Sequence, residues 1–231
     1  SIAPSGRASA GLNGRSLTRR AVDLLSSISY VRYAEPDYIV HVCQADPNKL
    51  EPNDALYASQ WHYRLINLPY AWKITTGSTT IKVAVVDSGG PPVAHPDLSP
   101  NLLPGYDFVT DPASSGDGDG WDANPSNEGG SQHGVHVAGT IGAFSNNKEG
   151  VAGVAWDVRI VPVRVMGKKG TGTVSDIAAG ILWAAGLPVT GAPANPNPAN
   201  IINMSLGGPD SQAEHDAITA ASGAGKILVA A

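Results

Sequence analysis

The sequence predicts an α/β fold: a parallel sheet with helices on both faces. Two observations carry this. Residues 83–86 (Val-Ala-Val-Val) form a continuous apolar, largely β-branched run, as suits a strand covered on both sides. From residue 81 onward, such runs alternate with helix-length segments, the rhythm of strands joined by right-handed crossovers. Composition agrees. Charged residues make up 15% of the 231 and Gly and Pro are plentiful, which favours a loop-rich globule over a coiled coil or a disordered chain. A net charge of −5 gives no reason to expect a nucleic-acid partner. No apolar run approaches the length of a membrane span, so no membrane partner is expected. The one cysteine, Cys43, excludes an internal disulfide.

In chain order, residues 1–16 are rich in Ser, Gly and Ala and are expected to be mobile. Residues 18–28 read as a helix with Ala21, Leu24, Leu25 and Ile28 on one face and Thr18 as its cap. Alternation after Pro36 predicts a strand over 37–42. Residues 43–56, with Pro47 and Pro52, read as a polar connector, a natural place for proteolytic processing between about residues 42 and 52. The aromatic-rich segment 57–72 is expected to pack rather than to bind. After the strand ending at Asp87, residues 91–103 form a loop. Residues 159–165 (RIVPVRV) read as a strand in which Pro162 is out of place. Gly170 and Gly172 open a loop, and residues 174–187 follow as a helix with Ser175 as a possible cap. Residues 188–200 are a Pro- and Asn-rich loop, 201–205 a strand, 211–224 a helix and 227–230 a further strand. Charge divides the chain. Residues 1–44 carry five arginines and three acids, whereas the remainder carries ten basic and seventeen acidic side chains, as two mutually attracting parts would.

Chemistry gathers at two places. Asp87 closes a buried strand, and ligands in open α/β sheets bind outside the carboxyl ends of strands. An aspartate there also suits a simple helix cap. His133 opens the run HGVHVAGTI, whose small residues allow close packing and would hold the ring rigidly, as a general base requires. An ordinary polar histidine at a helix start, or a metal shared by His133 and His136, are the other readings.

The motifs VAVVDSG, HGVHVAGTI and IINMSLGG together resemble those of the subtilisin-like serine proteases, over roughly residues 55–231. One departure is Val135, where the family usually has Thr. The resemblance implies Asp87 and His133 as catalytic residues. It implies Ser205, Leu206, Gly207 and, on the opposing side, Gly170 as substrate-binding residues. It also implies a secreted enzyme acting on peptide or protein substrates. The helix at 18–28 followed by VRYAEPDYIV resembles the end of the family's inhibitory propeptide. On this reading residues 1–45 are a partial propeptide, the remnant of a small α/β module. Residues 46–56 are a processing linker, and 57–231 are the N-terminal part of a catalytic domain. The propeptide and the rest of the catalytic domain are then its expected protein partners.

Calcium is the expected cofactor. By resemblance Asp97 and Asn147 are ligands, with Gln60 a weaker candidate. From the residues themselves, the acids of 107–130 repel one another unless neutralised, so Asp117, Asp119 and Asp122 form a second candidate set. Trp121 breaks the EF-hand spacing there, and a solvated acidic loop remains the other reading. The family's Gly-Thr-Ser-Met-Ala nucleophile motif does not occur in residues 1–231, nor does an asparagine after the ILVAA strand. The chain by itself is therefore expected to be inactive. A peptide-binding pseudoenzyme, or a protease inhibitor built on residues 1–44, are the alternative functions.

Overall fold

The computed structural model describes residues 14–36 and 46–231. The expected strand at 37–42 and the segment 1–13 lie outside the described residues. The chain divides into two compact units, Ser1–Asp46 and Pro47–Ala231. In the first, helix α1 (Gly14–Ser26) starts earlier than Thr18, and Leu24 and Leu25 on its apolar face are exposed.

The second unit is built on a parallel sheet of β1 (Lys82–Asp87), β2 (Tyr106–Asp107), β3 (Arg159–Arg164), β4 (Ile201–Met204) and β5 (Ile227–Ala230), in the order β2-β3-β1-β4-β5 among the described residues. From β1 the chain runs to the edge strand β2, returns to β3 beside β1, and then crosses to β4 and β5 on the other side, so the carboxyl end of β1 lies at the switch point, where the strand order reverses. Helix α5 (His133–Gly142) covers one face. There Ala138 meets Val83, Val85, Leu98 and Ile160. Helices α6 (Val174–Ala184) and α7 (Gln212–Gly223) cover the other, where Trp183, Phe108 and Tyr106 fill the larger core.

The short helices α2 (Trp61–Leu65), α3 (Leu68–Trp72) and α4 (Pro112–Ser115) complete the unit. Tyr57, Tyr63, Leu68 and Trp72 pack with Trp156 in a third cluster, which is the packing expected of that aromatic segment, although Trp61 faces solvent. Residues 50–56 are anchored rather than loose: the Leu50 amide donates to Pro69 O (2.9 Å) and the Leu56 amide to Gly150 O (2.8 Å).

Pro162 lies inside the sheet after all. The Val165 amide donates to Asp87 O on β1, so by alternation the Pro162 nitrogen faces the opposite side, where pairing with β2 begins only at Val163. No ladder bond is lost. Helix α6 is capped by Thr173, whose hydroxyl accepts the Asp176 amide at 3.2 Å, not by Ser175. It ends before residue 187 because Gly186 takes φ +82° and turns the chain.

Candidate active site

Asp87 ends β1 at the switch point and is fully buried. Its Oδ1 accepts the Ser88 amide at 2.7 Å. His133 begins α5, and its Nδ1 lies 2.8 Å from Asp87 Oδ1 and 2.9 Å from Oδ2. A carboxylate in that position takes a hydrogen bond from the ring, so Nδ1 carries the proton and Nε2 keeps its lone pair. The imidazole side chain is 54% exposed, so one nitrogen is tied to a buried acid while the ring remains open to solvent.

This approach depends on a missing side chain. A Cβ on Gly134 would stand 2.6 Å from Gly89 O and 3.2 Å from the Asp87 Cβ. Only glycine lets the first turn of α5 sit on the end of β1. Ser88 then locks the two together. Its hydroxyl accepts the Gly134 amide at 3.0 Å and donates to Ser131 O at 3.1 Å. Asn127 Nδ2 donates to the same Ser131 carbonyl, and the Ser131 amide donates to Lys168 O. The reading of the sequence missed Ser88 in this role. A hydroxyl directly after a strand-end acid was the available signal, and the 43 residues separating it from Ser131 hid the partner.

His133 lines a groove of about 330 Å3 together with Ser131, Met166, Gly170, Ser205, Leu206 and Gly207. The structure thus brings all four expected substrate-binding residues beside the imidazole. The β4–β5 pairing reaches Met204, and residues 205–208 run past it as irregular backbone. Opposite, Gly170 takes φ +71°. His136 instead lines a separate cavity of about 670 Å3, with His62 and His95, so His133 and His136 serve different recesses. No cluster of three His, Cys, Asp or Glu suited to a metal occurs among the described residues.

The two expected calcium regions differ in donor chemistry. Asp97 and Asn147 do meet: Asn147 Nδ2 is 3.0 Å from Asp97 Oδ1, and the Val151 amide donates to Asp97 Oδ2 at 2.8 Å. A second buried carboxylate, Asp54, accepts the Asn146 amide at 2.8 Å and the Asn147 amide at 3.4 Å. Both acids thus reach the 146–151 loop, where Asn147 Oδ1 accepts the Glu149 amide at 2.8 Å; carboxylate and amide oxygens are the donor types a hard cation takes. Asp54 was not anticipated because it stands 93 residues away in the chain. Gln60 pairs in both directions with the Ala152 backbone, its amide donating to Ala152 O and accepting the Ala152 amide, each at 2.8 Å.

In the acidic loop, Arg164 supplies the positive charge. Its guanidinium, fully buried, donates to Asp107 at 2.7 Å, to Asp117 at 2.9 Å and to Ser115 O. Asp117 also takes hydrogen bonds from the Ser115 hydroxyl and the Asp119 amide, and Asp122 accepts the Asn124 amide. Burial works against the Asp117 charge, but the Ser115 hydroxyl, the nearby amides and Arg164 outweigh it and hold the carboxyl below its usual value. Asp107, in register with Arg164 and through it with Asp87, is pushed by burial up to about 7 despite the guanidinium.

Residues 78–231 match the subtilase family. An extracellular protease of Xanthomonas campestris pv. campestris is 40% identical over 230 residues, covering 86% of this chain and 39% of that protein. An extracellular basic protease of Dichelobacter nodosus is 39% identical over 210 residues, covering 81% of this chain and 33% of its own. A solved structure of a protease from Pseudoalteromonas arctica PAMC 21717 superposes with a TM-score of 0.72 at 47% identity, covering 78% of this chain and 58% of that one. The chain thus spans between a third and two fifths of the length of these two curated relatives.

Proposed function

This chain belongs to the subtilase family, and on that premise we propose that it provides the acid and the base of a secreted serine endopeptidase precursor. The observation that carries the reading is the pair of contacts, 2.8 and 2.9 Å, between His133 Nδ1 and a fully buried Asp87. Asp87 fixes the tautomer and stabilises the imidazolium. His133 Nε2 takes the proton of a serine hydroxyl and returns it to the leaving amine. That serine and an oxyanion-binding asparagine come from sequence outside residues 1–231. The substrate lies extended between residues 205–207 and Gly170, adding a strand to the exposed backbone.

Residues 1–45 act as part of an inhibitory propeptide on 57–231, and 46–56 hold the processing region. The extracellular character of the Xanthomonas and Dichelobacter relatives supports secretion. Asp97 and Asn147, with Asp54, would hold a calcium ion, which supplies structural crosslinking rather than chemistry.

A fluorogenic peptide and a serine-directed phosphonate test this. The intact precursor, once processed, is expected to cleave the peptide and to be labelled, and both signals vanish in His133→Ala. Phosphonate labelling of residues 1–231 in isolation overturns the assignment of the serine to another segment.

A further inference from the structure

We infer that Glu214 makes the enzyme select a lysine or arginine side chain at one substrate position remote from the scissile bond. The inference rests on the reading of the groove as a peptide cleft. A second recess of about 210 Å3 shares Met166, Gly170, Leu206 and Gly207 with that groove, so the two adjoin. The recess is close to the size of one long side chain.

Its added walls are mostly apolar, Val174, Ile177 and Pro209, and among the described lining residues Glu214 is the one with a charge. Successive side chains of an extended peptide alternate between facing into such a recess and away from it. A side chain entering this recess meets an apolar sleeve and then a carboxylate. Lysine and arginine match both parts, with a methylene stem and a cationic tip.

Glu214 is half-buried in the first turn of α7, and no hydrogen bond or ion pair is found for its carboxylate among the described residues. Its neighbours are otherwise engaged. His215 Nε2 lies 2.9 Å from Asp210, and Asp216 accepts a hydrogen bond from Gln212. The Lys168 stem lies over Gly116 and Gly130, and the exposed Lys169 does not line the recess. A first-turn glutamate also suits the helix dipole, which by itself would leave it facing solvent. Its place in the wall of an apolar recess is what points to a ligand.

The test uses the intact, processed protein and a positional peptide library carrying lysine, norleucine or glutamate at each site in turn. One position is expected to favour lysine over norleucine by roughly tenfold in kcat/KM, as one charge-assisted contact gives. Glu214→Gln should remove that preference, and Glu214→Lys should turn it toward glutamate, a reversal that a misfolded variant cannot produce. If peptides are cleaved but lysine is favoured nowhere, or the preference survives Glu214→Gln, this inference falls and the protease reading stands. If no peptide is cleaved at all, both fall.

Discussion

At the scale of single residues, the decisive fact is that His133 meets both oxygens of a carboxylate that solvent cannot reach. Replacing Asp87 by Asn keeps the shape but offers a donor where an acceptor is needed, so the wrong tautomer is held. The expected loss in kcat for the intact enzyme is about 10⁴-fold, and a loss below tenfold would contradict the assigned role. Ser88 acts one step further out. Ser88→Ala strips the buried Gly134 amide of its acceptor, and an unsatisfied buried donor costs about 1–3 kcal/mol. Urea denaturation should show that loss, and Ser88→Thr, which keeps the hydroxyl, should recover most of it.

Asp107 gives a pH prediction. Its folded carboxyl titrates near 7, above the ordinary value of about 3.9 for an unfolded aspartate. Between those values the folded state binds more protons than the unfolded one, so this group's contribution to stability declines as pH rises from about 4 to about 7. The melting temperature should fall more steeply with rising pH across that range, or rise less, for the wild type than for Asp107→Asn. A slope that is unchanged by the substitution would remove Asp107 as its source.

At the scale of elements, the site is made where β1 ends and α5 begins. Gly134→Ala forces a Cβ to within 2.6 Å of Gly89 O. Backbone must move there, and the His133 ring moves with it. Loss of activity should accompany loss of stability in that variant, with the low-field ring N–H resonance of His133 weakened or shifted. Helix α6 offers a contrast, because its Thr173 cap lies outside the acid–base pair. Thr173→Ala should cost about 1 kcal/mol and leave that resonance in place.

Strand and helix types were legible because hydrophobic periodicity is local. The run at 83–86 reads as a buried strand without any knowledge of its neighbours, and β1 is that strand. Boundaries were less legible. The end of α6 depends on Gly186 adopting φ +82°. The place of Pro162 depends on where β2 starts to pair.

At the scale of the whole molecule, segments far apart in the chain converge on one turn. Asp54 and Asp97 both bind the backbone of the 146–151 loop. Two buried carboxylates so placed should make stability cation-dependent. Millimolar Ca²⁺ is expected to raise the melting temperature of this chain by several degrees, with a chelator reversing it and Asp97→Asn abolishing it. A melting point indifferent to calcium would remove the proposed site.

The sequence by itself determined the α/β class, the family, and the two residues, Asp87 and His133, that the fold brings together. These are written in local runs, an apolar strand closing on Asp87 and a small-residue helix opening on His133, and local runs survive in a linear text. The tertiary structure alone decided that Ser88 braces the helix, that Arg164 answers the charge of Asp107 and Asp117, that Asp54 and Asp97 hold the same loop, and that Glu214 lines a recess beside Gly207. Each is a contact between segments tens of residues apart. The sheet order and crossovers determine which of those segments meet, and no short stretch of sequence contains that information.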